Sequence, residues 1–245
     1  MPVRGGGKRC AAVTSELGGR IVAGLFAPGE TLPTEAVLCA QLGVSRTTVR
    51  EAVKRLHGKG LVAVSPRNGT KVRPTVHWNQ FDTEVLAWRV AAGVDAAMLD
   101  QLYEIRDCFE PRACHLAACR GSAADHAAIS GHFAELAEAS GDVERGIAAD
   151  LAFHLAIFAA TGNLFFISLG SAISTALRLS FSLSQRRAPI PAAELRLHED
   201  VCAAILAFDG AGAEASMRRL LDASRRTLAI AARPAEAGET LEALS

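Results

Sequence analysis

From residue 81 to about residue 232 the apolar residues recur at helical spacing, i, i+3, i+4 and i+7, and no stretch shows the alternation of a half-buried strand. That period commits the larger part of the chain to helices packed on helices. Segments at about 81–90, 95–119, 123–139, 143–160, 164–184, 192–208 and 213–232 carry it. Turn and cap residues separate them: Gly93, Gly121 with Ser122, Gly141 with Asp142, Gly162 with Asn163, Pro189 with Pro191, and Gly210 with Gly212. Residues 155–177 raise the alternative of a membrane span, being 23 residues without a charge. Thr161, Gly162 and Asn163 break that run in its middle. It reads as two central helices of a buried bundle, and no membrane partner is expected.

The first 75 residues are built differently. Apolar residues at 13, 17, 21, 22 and 25 predict an amphipathic helix over 13–25. Pro28 and Gly29 turn the chain, and Thr34 caps a short helix with Glu35 in its first turn, where the helix dipole favours an acid. Val37, Leu38 and Leu42 give that helix an inner face. Gly43 and Val44 then make a tight turn, and Ser45 caps a helix running to Gly58 or Gly60. Val49, Ala52, Val53 and Leu56 form its inner stripe, while Arg46, Arg50 and Lys54 recur every four residues on another. Residues 61–64 and 70–72 read as two short strands around Pro66, Arg67, Asn68 and Gly69, whose Asn-Gly pair signals a hairpin. The start, 1–12, has basic residues but no apolar segment of a secretory leader, and is expected to be a flexible arm.

With 26 Lys+Arg against 26 Asp+Glu the whole chain is neutral, which taken alone offers phosphate no attraction. Residues 1–75, however, hold 12 Lys+Arg against 4 Asp+Glu, net +8, and the remainder 14 against 22, net −8. Such asymmetry marks one part of a chain as built for an anionic partner. Half of the residues are apolar and 21% charged, which excludes a disordered polyampholyte. The 6 cysteines form no Cys-x-x-Cys pair, and most fall at apolar positions, as buried reduced thiols do.

Two short helices joined by a Gly-containing turn, the second with an exposed basic stripe, are expected to form a helix-turn-helix. A recognition helix must present its first turns to base edges, which places Arg46, Thr47, Thr48 and Arg50 there, with Lys54 one turn further on. Arg pairs in a bidentate way with guanine, Thr meets a thymine methyl or a phosphate, and the helix N-terminus itself favours phosphate. The hairpin adds a wing whose Arg67, Asn68 and Lys71 reach the backbone or minor groove.

The run Gly24-x-Phe26-x-Pro28-Gly29-x-x-Leu32-Pro33-x-Glu35, followed by Leu42-Gly43-Val44-Ser45-Arg46-Thr47-Thr48-Val49-Arg50-Glu51-Ala52-x-x-x-Leu56 and Gly60-Leu61, resembles the winged-helix domain of GntR-type bacterial transcription regulators. The resemblance implies that Arg46, Thr47, Thr48 and Arg50 contact DNA. Ala36 stands where many members carry an Arg, so one DNA contact of the family is missing.

In the helical part, polar residues recur at buried-looking positions. Asp150 and His154 share one face of a helix among Leu151, Leu155 and Phe158; His198 lies on a later helix; Arg106 and Arg178 stand on two others. Burying an unpaired charge is costly, so these groups imply a shared polar cavity. Two occupants fit: a divalent metal such as Zn²⁺ held by Asp150, His154 and His198, or an anionic ligand whose carboxylate Arg106 and Arg178 clamp while Asp150, His154 and His198 bond its hydroxyls. A third possibility is a set of satisfied core groups.

The pattern Asp150-x-x-Phe153-His154, then Gly162-Asn163, then His198, resembles the all-helical FCD ligand domain of the FadR-type GntR subgroup. Members with a metal site use an Asp and three His, and the last His falls at Leu220, which cannot ligate. The segment Trp78-Asn79-x-Phe81-Asp82-Thr83-Glu84-Val85-Leu86-x-Trp88 is similar to the branch that represses galactonate utilisation, which implies a sugar-acid effector. The expectation is therefore a mostly α protein: an arm at 1–12, a winged helix-turn-helix at 13–75, a linker and first helix at 76–89, an all-helical effector-binding and dimerisation domain at 90–235, and a frayed tail at 236–245. It is expected to act as a cytoplasmic homodimer on double-stranded operator DNA. A metal-dependent enzyme is disfavoured because no nucleophile or base with an orienting partner is identifiable; an architectural DNA-binding protein without an effector is the other alternative.

Overall fold

The computed structural model describes residues 6–65, 67–93, 96–139, 142–184 and 190–231. The tail expected to fray over 236–245 lies outside these, as do Pro66, Gly141 and Pro189 of the expected breaks. The chain divides into two compact units, Met1–Val94 and Asp95–Ser245.

The first unit begins with helix α1 (Gly6–Val22), followed by α2 (Glu35–Leu42), α3 (Arg46–Gly58), strands β1 (Val62–Ser65) and β2 (Gly69–Val72), and α4 (Thr83–Ala92). Most of the segment expected to be an arm is thus helical from Gly6. Cys10 is the reason: it is buried with Val13, Leu17 and Ile21 on one stripe of α1, so packing outweighs the poor helix propensity of Gly6 and Gly7. At its other end α1 stops at Val22, short of Leu25, because Gly24 turns left-handed at φ 78°, and Leu25 is left 68% exposed.

Capping defines the turn between α2 and α3. Thr34 accepts the amide N–H of Val37, Gly43 adopts the left-handed C-cap at φ 62°, and Ser45 accepts the amide N–H of Thr48. Strands β1 and β2 pair antiparallel with Val62 opposite Val72 and Ser65 opposite Gly69, and Thr31 bridges to Lys71 on the free edge of β2.

The stretch 76–89, expected as a linker and first helix, carries α4 and is packed into the core of the first unit. Asp82 caps α4, and Lys59 at the end of α3 ties to Asp82 and Glu84, 2.7 Å each. The amide N–H of Asn79 donates to the Lys59 carbonyl at 2.9 Å. Trp88 of α4 donates its indole N–H to Ser15 Oγ at 3.3 Å and covers Gly18 of α1, where any Cβ would overlap its ring. Val85, Trp78 and Trp88 are all buried in the same core as Leu17, Val49 and Leu56. Gly60 makes the close approach possible: its φ is 80°, and a Cβ there would run into the His77 carbonyl oxygen. Gly60→Ala is therefore expected to lower the urea midpoint of unfolding clearly more than Gly24→Ala. The latter carries a similar positive φ but faces open space, so it costs only the left-handed strain of about 1–2 kcal/mol.

The second unit is a bundle of α5 (Ala96–Arg120), α6 (Ala123–Glu138), α7 (Val143–Ala160), α8 (Leu164–Ser184), α9 (Ala192–Leu206) and α10 (Gly210–Ala231). Its main neighbours are α5 with α10, α9 with α10, α6 with α7 and α7 with α8. Gly210 and Gly212, expected as breaks, lie in the first turn of α10, where Asp209 accepts the amide N–H of Gly212 at 2.9 Å. Among the described residues no helix is long and apolar enough to cross a membrane. Cys10, Cys114 and Cys202 are buried as expected, Cys39 is half-buried, and Cys108 and Cys119 are exposed; all six are free thiols.

Candidate functional site

The α3 helix buries Val49, Ala52, Val53 and Leu56 and turns Arg46, Thr47, Arg50 and Lys54 outward. Thr48, half-buried, shares a 3.0 Å hydrogen bond with the Ser45 hydroxyl, so the helix start is fixed from its side chains as well as its backbone. Arg50 is the one basic group of this set that the protein itself holds. Its Nε donates to both oxygens of Glu35 on α2, at 2.8 and 3.0 Å. At the hairpin, Arg67, Asn68 and Lys71 are exposed, the first two in the turn and Lys71 opposite Ala63 on β2. The first unit therefore displays two exposed basic elements, a helix start and a hairpin.

The second unit holds a different arrangement, buried and mixed in charge. Asp150 and His154 come from successive turns of α7, and His198 from α9. Asp150 Oδ1 lies 3.2 Å from His198 Nε2 and 3.4 Å from His154 Nε2. These three donor atoms lie within 4.8 Å of one another, the spacing of a metal-ligand set. On the far side of the rings, His154 Nδ1 meets Glu110 Oε2 at 2.9 Å, and His198 Nδ1 meets the Glu194 carbonyl at 2.9 Å. Arg106, one turn before Glu110 on α5, donates its Nε to Glu110 Oε1 at 2.6 Å and stands over the Tyr103 ring. Arg106 and Glu110 are each 1% exposed.

A neutral imidazole has one donor and one acceptor nitrogen. Here both rings have an acceptor at each nitrogen, so with neutral rings two hydrogen bonds fail and lone pairs face lone pairs. Protons on both rings or one divalent cation between Asp150, His154 and His198 resolve the conflict, and the donor set fits such a cation. At His154 the electrostatics report the same demand. Burial on its own lowers the pKa of His154, but the Glu110 and Asp150 carboxylates outweigh it and raise it to about 9. Burial on its own raises Glu110, yet Arg106 and His154 bring it down to about 2, and Asp150 is held well below the carboxylate range against its burial by the two imidazoles.

The model for the FCD domain matches residues 101–223, half of the chain, and that for bacterial regulatory proteins of the gntR family matches residues 10–72. An HTH-type transcriptional regulator of Escherichia coli, YieP, is 36% identical over 211 residues, spanning 85% of this chain and 90% of that protein. The chain belongs to the GntR family of transcription regulators. The galactonate operon transcriptional repressor of E. coli is 32% identical over 214 residues, 86% of this chain and 93% of that one. Among solved structures, Lar of Listeria monocytogenes superposes with TM-score 0.64 at 18% identity over 90% of this chain and 96% of its own, a likeness of fold alone. As a member of this family the protein is a DNA-binding regulator with a winged-helix reader and an FCD ligand domain, and not an enzyme; such regulators bind operator DNA and commonly dimerise.

Of the effector residues read from sequence, the structure brings Arg106, Asp150, His154 and His198 into one cluster and leaves out Arg178. That side chain is 53% exposed on α8 and lies 3.5 Å from Glu144 of α7. An Arg in an apolar run had implied an inward charge; instead it marks the surface face of α8. Leu220, at the position of the family's last His by resemblance, is buried in α10. The residue missed by sequence is Glu110. Its pairing with Arg106 at i, i+4 was visible, but its contact with His154, 44 residues on, has no local signature.

Proposed function

We propose that this regulator is a homodimeric repressor of a sugar-acid catabolic operon, acting in the cytoplasm and released when an aldonate binds at a divalent cation in the FCD unit. The supporting observation is the pair of imidazoles with acceptors on both nitrogens. Asp150 Oδ1, His154 Nε2 and His198 Nε2 would hold the cation, which supplies positive charge for an anionic ligand; with Leu220 at the fourth place, part of its coordination is left to that ligand. The reading favours this over a clamp of two arginines, since Arg178 is on the surface and Arg106 is engaged with Glu110. The galactonate repressor at 32% identity supports a sugar acid. Operator contacts come from Arg46, Thr47, Thr48, Arg50 and Lys54 in the major groove and Arg67, Asn68 and Lys71 of the wing.

The test uses duplex DNA selected by the full-length protein from a randomised pool, with galactonate, gluconate and lactate each added in the presence of Zn²⁺ or Mn²⁺. One hexonate should weaken DNA binding at least tenfold and, at about 100 times its Kd, raise the melting temperature by about 5–10 °C. Indifference of both binding and melting to every acid, with either metal, removes the effector and leaves a DNA-binding protein whose helical unit only dimerises.

A further inference from the structure

We infer that Glu110, steadied by Arg106, is a positioning residue of the cation site: its carboxylate accepts the Nδ1–H of His154 and so directs the Nε2 lone pair toward Asp150 and His198. The inference rests on the cation reading above and assigns roles to two residues that reading does not use as ligands. At His198 the same task falls to the backbone. The Glu194 carbonyl, one turn earlier on α9, takes the Nδ1–H at 2.9 Å, an acceptor that no side-chain substitution removes. At His154 the acceptor at Nδ1 is a carboxylate from another helix, Glu110 Oε2 at 2.9 Å.

That carboxylate is itself fixed. Its Oε1 receives Arg106 Nε at 2.6 Å, its Oε2 lies 3.4 Å from Arg106 Nη2, and the guanidinium rests 5.0 Å above the Tyr103 ring. Tyr103, Arg106 and Glu110 are spaced three and four residues apart, hence on one face of α5, and all are buried. Arg106 thus neutralises a carboxylate that could not otherwise be buried beside Asp150. A carboxylate on the outer nitrogen of a ligating His fixes its tautomer and raises its basicity, and loss of such a partner typically weakens metal binding about 10–100-fold.

The experiment follows Co²⁺ binding to the chelator-stripped full-length protein by its visible d–d absorption, in competition with a chromophoric chelator. Wild type is expected to take up one cobalt per chain. Glu110→Gln, which keeps the shape but removes the charge, should bind about 10–100-fold more weakly with an altered d–d spectrum, while Glu104→Gln on the exposed side of the same helix behaves as wild type. If wild type takes up no cobalt, the cation reading itself fails; if wild type binds and Glu110→Gln matches it in affinity and spectrum, the positioning role is overturned. Should Glu110→Gln not fold, long-range ¹H–¹⁵N spectra of zinc-loaded wild type decide. Both His154 and His198 should carry their proton on Nδ1, and zinc bound through Nδ1 of His154 contradicts the inference.

Discussion

Replacing Arg46 and Arg50 together by alanine is expected to lower the affinity for selected operator duplex by about 30-fold or more, with no change in melting temperature. Each bidentate contact to guanine contributes about 1–3 kcal/mol of discrimination, about 5- to 150-fold. Both side chains are exposed, and exposed substitutions generally shift stability by less than about 0.5 kcal/mol. The Arg50 pair with Glu35 does not change that expectation, because ion pairs at this exposure contribute little to folding. The two sites are expected to separate by type of loss. Lys54→Ala should reduce the slope of log K against log salt by about one phosphate contact and affect all duplexes alike, whereas Arg50→Ala should flatten the preference at one base position. Operator affinity within twofold of wild type for the double variant contradicts the assignment of α3 as the reader.

Removing Arg106 is the largest expected effect in the second unit. Arg106→Ala leaves the Glu110 carboxylate buried without its guanidinium, and breaking a buried pair in this way costs about 3–5 kcal/mol. For a unit of this size that is a fall in melting temperature of about 6–20 °C, measured without any added acid or metal. The result discriminates between two roles. A guanidinium kept for an effector carboxylate gives little stability to the ligand-free protein, so its loss would leave the melting curve nearly in place and act only on the ligand-induced shift. A guanidinium that neutralises Glu110 gives its stability whether or not ligand is present. An unchanged melting temperature with a lost effector response therefore restores the clamp.

The elements whose signals are local were legible in the sequence. Ser45, Gly43 and Thr34 are read by type alone, because caps and left-handed turns are contests between a side chain and its own backbone, and Asn68 with Gly69 marks the hairpin on the same grounds. The three ligand candidates on α7 and α9 were legible for a different reason: few forces place an Asp and two His at inward positions of apolar helices. What could not be read depends on partners distant in sequence. The periodicity that put Arg178 in an apolar run says nothing about which side of α8 meets α7, and Glu144 lies 34 residues away. Trp88 belongs to the core of the first unit because Gly18 lets its ring settle on α1, a contact across about 70 residues, and Cys10 is buried in that same core. Packing at that range overrides the local preference of Gly6 and Gly7 for an irregular backbone.

The anchoring of α4 by Trp88, Lys59 and Asn79 sets where this regulator can be divided. A cut at residue 75, where the charge changes sign, would strip Val85 and Trp88 from a core they complete and uncover apolar surface on α1 and α3. The natural seam lies some eighteen residues later, at Gly93, which takes a φ of 117° as the C-cap of α4. A reader exchanged between regulators of this family, to make a hybrid answering one effector at another operator, therefore travels with α4 attached and is joined after that glycine. The winged helix and its fourth helix thus form one packed unit.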